Sequence, residues 1–255
     1  MQRHFPEVSD PEAFERIARN EAELGNGIAA IVDALGLPGR RSRFAGGSLP
    51  VYAVGDELVL KVYPPFYIDE RDRESAVLEL LDRRLPIPTP ALRTSGELDG
   101  WGYLVMDRLR GEHLSEAWPR LGEGDRMRLA TKLGEALRVL HSIREPALQS
   151  LAADWQSFLE QQRQNCVSRQ RRRGVDPRWL EQIPAFLAET PLVERATGCL
   201  LHTEIMREHL LVERTSGDWQ FSGLFDFEPS MVGASEYEFS SVGLFFSCAD
   251  RSVLR

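Results

Sequence analysis

The spacing of apolar residues changes character along the chain, and each change predicts an element. The first forty residues carry helical spacing and end in a Gly/Pro-rich exit at 36–39. Two β-rich runs follow, Val51-Tyr52-Ala53-Val54 and Leu58-Val59-Leu60-Lys61-Val62-Tyr63, separated by Gly55-Asp56-Glu57 and closed by Pro64-Pro65. That arrangement predicts a hairpin. Ala76, Val77, Leu80 and Leu81 then recur at helical spacing within 69–81, and Pro86, Pro88 and Pro90 forbid helix beyond it. Residues 91–94 and 101–106 read as two further strands around a turn at 96–100. After Gly111 the pattern becomes helical: Leu129, Leu133, Leu137 and Leu140 line one face of a helix over about 125–143, and a second helix is predicted over 155–172. Strands return as short runs at Leu200-Leu201, 210–212 and 219–225, the last two joined by a turn at 215–218.

This order predicts an α+β protein of two lobes, a small β-rich lobe over residues 1–106 and a larger helical lobe over 107–255. A ligand is expected in the cleft between them. The 255 residues suit that arrangement, and no repeat or low-complexity tract interrupts it. Thirty-one Lys and Arg against 39 Asp and Glu give a formal charge of −8, which argues against nucleic acid as a partner and mildly favours cationic or metal-escorted ligands. Cys166, Cys199 and Cys248 are odd in number and lack CxxC spacing, so neither a disulfide framework nor a thiolate zinc site is indicated. The first residues show no signal pattern, and no apolar run nears the roughly 18 residues of a membrane helix. A cytoplasmic protein without a membrane partner is the expectation.

Lys61 lies among apolar and aromatic strand residues. It is either an edge-strand gatekeeper or a buried cation facing an anionic partner. Gly46-Gly47-Ser48, one strand upstream, could lay backbone N–H groups against phosphates, and Glu74 on the following helix could pair with the lysine. A second constellation is His202-Thr203-Glu204, then His209, then Asp226-Phe227-Glu228. Hairpin pairing of the strands between them would bring Glu204, His209 and Asp226 to one end of a small sheet. Two carboxylates and an imidazole there suit a divalent cation with a general base beside it, against the alternative of an ordinary polar loop. A zinc hydrolase is the other chemical alternative, but His202 and His209 match neither HExxH nor the common structural zinc spacings.

The run from Cys199 through His202-Thr203-Glu204 and His209 to Val212, followed by Leu224-Phe225-Asp226-Phe227-Glu228, resembles the catalytic and metal-binding segments of the aminoglycoside phosphotransferase and choline kinase-like superfamily. The resemblance implies a protein-kinase-like fold and transfer of the γ-phosphoryl of ATP or GTP to a hydroxyl-bearing small molecule, with Mg²⁺ or Mn²⁺. It assigns Gly46, Gly47 and Ser48 to the nucleotide loop, Lys61 to the phosphates, Glu74 to the lysine, and backbone near Asp107 and Leu109 to adenine. Glu204, with His202, falls in the catalytic segment; Asp226 and His209 fall at the metal.

Four positions depart from the family pattern. Glu204 stands for an Asp, His209 for an Asn, Glu228 for a common Gly, and Glu236 or Glu238 for an Asp. A divergent active kinase and a nucleotide-binding pseudokinase both remain open on these grounds. The resemblance also implies further helices beyond Arg255, so the expectation is either a truncated product or a more open substrate pocket. Arg163, Arg169, Arg171, Arg172 and Arg173 read as a solvated helix face, or as a bias against polycationic acceptors if they face the cleft. Trp155, Phe158 and Trp179 are expected in the core.

Overall fold

A computed structural model describes residues 3–151, 154–190 and 198–254. Two short helices open the chain, α1 (Pro11–Ile17) and α2 (Glu21–Ala34). Each has a side-chain N-cap, Asp10 accepting from the Ala13 N–H and Asn20 from the Ala22 N–H. Strands β1 (Arg41–Arg43), β2 (Val51–Val54) and β3 (Leu58–Tyr63) follow, then helix α3 (Ile68–Leu81), β4 (Leu92–Leu98) and β5 (Trp101–Asp107). These five strands form one antiparallel sheet in the order β1-β2-β3-β5-β4. β3 is therefore central, and Lys61 is not an edge residue: it pairs in register with Val51 on one side and Leu104 on the other.

The turn expected at 96–100 is shorter, because β4 continues to Leu98 and only Asp99 and Gly100 take positive φ. Gly96 serves the strand instead. It pairs with Tyr103, and a Cβ at Gly96 would stand 2.3 Å from the Tyr103 hydroxyl oxygen.

The chain leaves the sheet after Asp107. It forms β6 (Glu112–His113), α4 (Leu114–Ala117), α5 (Glu123–Leu140), α6 (Trp155–Arg172), α7 (Pro177–Leu180), α8 (Ile183–Glu189), β7 (Cys199–Leu201), β8 (Leu210–Thr215), β9 (Asp218–Leu224), β10 (Met231–Gly233) and α9 (Ser235–Ser241). β6-β8-β9 make a three-stranded sheet and β7-β10 a two-stranded one. The predicted stripe of α5 is buried in full: Leu129, Leu133, Leu137 and Leu140 pack in a core shared with Leu200, Ile205, Leu210, Leu224 and Phe227. Complete burial of such side chains contributes about 1.5–3 kcal/mol each. That packing makes a firm floor under the two loops that carry the polar residues, 202–209 and 225–230.

Helix α6 buries no residue completely, and Arg171, Arg172 and Arg173 are exposed at its C-terminal end, where the helix dipole favours cations. Arg163 donates to the Leu187 carbonyl and so ties α6 to α8. Trp155 and Phe158, expected in the core, are only half-buried; they stack on each other and meet Tyr237 edge-on outside the main core. Trp179 does not join them; it is exposed, because the short α7 turns it outward beside Arg178. Among the described residues, no helix is long and apolar enough to cross a membrane.

Candidate active site

β3 delivers Lys61 from the middle of the sheet, and α3, packed across that sheet, delivers Glu74. Both are buried, the Lys61 Nζ 2.8 Å from Glu74 Oε2. Glu74 also accepts from the Tyr63 hydroxyl and, through Oε1, from the Phe227 N–H at 3.2 Å. It thereby fastens the second polar loop to the first sheet. From that loop Asp226 brings Oδ1 within 2.5 Å of Lys61, and Glu228 brings Oε2 within 2.5 Å. Asp226 adopts φ 73, a left-handed conformation that Asp tolerates better than most side chains.

Burial opposes the Lys61 ammonium, but Glu74, Asp226 and Glu228 outweigh it and hold the pKa well above the ordinary lysine value. Burial also works against the Asp226 carboxylate, yet Lys61 and His209 keep it below the usual range. Glu228 is the surplus acid. Burial, reinforced by Asp226 and Glu74 and opposed by Lys61, pushes it up to about 7.

The first polar loop is held from beneath. Glu238 on α9, fully buried, accepts from the N–H groups of His202 at 2.7 Å and Thr203 at 2.8 Å, while the Ser241 hydroxyl accepts from the Ile205 N–H. Of the two acids weighed for this position, the structure selects Glu238. His202, grouped with Glu204 as catalytic on sequence grounds, belongs to this support. Its ring is wholly buried, Nε2 donates to the Phe225 carbonyl at 3.0 Å, and Nδ1 accepts from the Glu204 N–H at 3.3 Å. Both nitrogens are occupied and burial depresses its pKa, so the neutral ring positions the two loops and has no proton to exchange with a ligand.

Glu204, in contrast, is exposed, and its carboxylate lies with His209 and Asp226 in a group whose candidate ligand atoms are all within 4.8 Å of one another. His209 faces two acceptors, the Glu204 carbonyl 3.0 Å from Nδ1 and Asp226 Oδ2 3.2 Å from Nε2. A neutral imidazole has one N–H to offer, and when Nδ1–H donates it to the Glu204 carbonyl, Nε2 keeps a lone pair that could serve a cation shared with Asp226. Three carboxylates around one ammonium likewise leave negative charge for a divalent cation to offset. The donor set of Glu204, His209 and Asp226 fits such an ion, with a nitrogen ligand that suits Mn²⁺ better than Mg²⁺.

The remaining predicted residues lie apart from this cluster. Gly46, Gly47 and Ser48 form an exposed loop between β1 and β2, with Gly47 at φ 94. The loop leads into Pro50, whose carbonyl accepts from Val62 next to Lys61, so it enters the sheet beside the lysine. Asp107 ends β5, its carboxylate on Arg93 and its N–H on the Ala91 carbonyl, which excludes that N–H and that side chain from adenine contact. Leu109 packs over Gly223, where a Cβ would stand 2.7 Å from Leu109 Cδ1. Sequence reasoning missed the contact of Glu228 with Lys61 and that of Tyr63 with Glu74. The first had a signal, since Glu228 stands two residues from Asp226 in the constellation already singled out.

The model of the phosphotransferase enzyme family matches residues 40–254. The fold is similar to that of wild-type aminoglycoside 2'-phosphotransferase-IIIa in its GDP complex, at TM-score 0.74 and 17% identity over 92% of this chain and 82% of that one. The GDP and kanamycin complex of APH(2")-IIia superposes at TM-score 0.74 and 17% identity, covering 89% of this chain and 81% of that one. The macrolide 2'-phosphotransferase MphH from Brachybacterium faecium, an apoenzyme, gives TM-score 0.64 at 16% identity over 90% and 82%. No curated protein matches the sequence.

Proposed function

The chain belongs to the phosphotransferase enzyme family, and on that premise we propose that it transfers the terminal phosphoryl group of ATP or GTP to a hydroxyl of a small molecule. The observation that carries the reading is the convergence on one buried lysine of Glu74 from α3 and Asp226 from the second polar loop, with Glu204 and His209 beside it. Lys61 would hold nucleotide phosphates. Asp226 and His209 would hold a divalent cation, which would supply charge neutralisation on the transferring group. Exposed Glu204 is the base available to an acceptor at the cleft mouth. The acceptor oxygen forms a bond to the γ-phosphorus, the bond from that phosphorus to its bridging oxygen breaks, the acceptor proton passes to Glu204, and the nucleoside diphosphate leaves. Positioning and charge supply most of the rate in such a reaction.

Structural relatives hold GDP with kanamycin in one case and ATP with streptomycin in another, which makes nucleotide together with a polyhydroxylated antibiotic the first acceptor class to try. The test is nucleoside diphosphate release from ATP and GTP over a panel of hydroxyl-bearing metabolites and antibiotics, with Mg²⁺ and Mn²⁺ in parallel. Glu204→Gln is expected to lower kcat by about 10²–10⁴ with nucleotide affinity retained. Nucleotide binding without transfer to any acceptor would turn the reading toward a non-catalytic binding module, and an unaffected Glu204→Gln would remove Glu204 as the base.

A further inference from the structure

An ammonium has three N–H donors, and those of Lys61 face three carboxylates. Glu74 stands at 2.8 Å, Asp226 at 2.5 Å and Glu228 at 2.5 Å. A phosphate oxygen that is to reach Lys61 must therefore displace one of them. Glu74 is the worst placed to leave, because it also accepts from Tyr63 and from the Phe227 N–H. Asp226 accepts a well-formed hydrogen bond from Lys61 through Oδ1 and has His209 Nε2 3.2 Å from its other oxygen. Glu228 has no comparable anchor: its enclosed Oε2 meets Lys61 at 2.5 Å and has no other polar partner among the described residues.

The backbone that follows that carboxylate is tied down. The Glu228 carbonyl accepts from Arg73 Nη1 at 3.0 Å, and the Pro229 carbonyl accepts from the Thr203 hydroxyl at 3.1 Å. Rotation of the Glu228 side chain alone is then enough to open one side of the Lys61 ammonium, with both polar loops staying in place.

Resting on the phosphotransfer reading, we propose that Glu228 is an internal occupant of the phosphate position on Lys61, a carboxylate that the nucleotide must displace and that thereby sets its affinity. The consequence is opposite in sign to that of a residue that helps to bind the nucleotide: removing the Glu228 charge strengthens binding. It also operates without a metal, since the competition is for the lysine.

The experiment is ATP affinity by calorimetry at pH 8.5 and 10 °C, with chelator present, for the wild type, Glu228→Gln, Lys61→Met and the double variant, each checked by circular dichroism. Glu228→Ala provides a second removal of the charge should the amide disturb folding. Glu228→Gln is expected to bind ATP at least about tenfold more tightly than the wild type, and the gain is expected to vanish on the Lys61→Met background. Unchanged or weaker binding in both Glu228 variants, with Lys61→Met still impaired, overturns the proposal and leaves the phosphotransfer reading standing. A gain of equal size without Lys61 also overturns it. If Lys61→Met binds ATP as the wild type does, the nucleotide site itself is misassigned and the proposal falls with it.

Discussion

Replacing Glu238 by Gln tests whether the loop that carries Glu204 is held by one buried carboxylate. Its two oxygens take the N–H groups of His202 and Thr203 at 2.7 and 2.8 Å, and the His141 ring stands 3.5 Å from Oε2. The charge-assisted bonds contribute about 1.5–3 kcal/mol each, whereas a neutral bond contributes about 1. Glutamine has one oxygen, so it keeps one bond at the neutral strength and turns an NH₂ toward the other N–H, leaving a buried donor unpaired at a cost of about 1–3 kcal/mol. The net loss is at least about 3 kcal/mol, a large part of the ~5–15 kcal/mol that separates folded from unfolded chains. For a chain of this size it corresponds to about 6–12 °C in Tm. Thr203 at φ 70 sharpens the effect, because a β-branched residue in that conformation needs its surroundings to hold it there. Urea and thermal unfolding of the Glu238→Gln variant give the number directly. A loss below about 1 kcal/mol at unchanged m-value would refute the reasoning, since it would show that these N–H groups find other partners.

Lys61→Met removes the cation placed among Glu74, Asp226 and Glu228; breaking such a buried pair costs about 3–5 kcal/mol, so the variant should melt lower and lose its thermal response to ATP, and a melting point within about 2 °C of wild type would contradict the assigned charge balance. His209→Asn exchanges a nitrogen ligand for an oxygen ligand, and turnover in Mg²⁺ relative to Mn²⁺ should rise even as both rates fall; an unchanged ratio between the two metals would take His209 out of the ion's coordination.

What could be foreseen in the sequence followed the range of the interaction. Helix α6 and the β2–β3 hairpin were legible because caps, periodicity and turn residues lie within a few positions of what they govern. The place of Lys61 was not settled in that way: gatekeeper and buried cation differ only in whether β3 has a neighbour on both sides, and the second neighbour, β5, arrives about forty residues later by skipping past β4. His202 was ambiguous for the same reason. A histidine two residues before an acid can serve catalysis or architecture, and only the enclosure of its ring by Phe225 and Phe227 decides for architecture. Trp179 went the other way, its aromatic bulk suggesting a core that the short α7 does not reach.

The departures from the family pattern make more sense together than singly. His209 uses Nδ1 to hold the carbonyl of Glu204 and turns Nε2 toward Asp226, so one ring links the candidate base to the candidate metal ligand. An asparagine has a shorter reach and would have to give up one of those partners. Glu204, one methylene longer than aspartate, extends from a backbone fixed at its N–H by His202 and at its carbonyl by His209. The added length therefore acts at the carboxylate end alone, which projects toward solvent while its peptide stays still. Glu228 adds a third acid beside a lysine already paired twice, at a position where glycine would leave an N–H donor free. A site that had merely lost its function would have no reason to keep Lys61 buried among three carboxylates. The retained charges and the interlocked substitutions favour a working site with an altered metal preference and a guarded lysine.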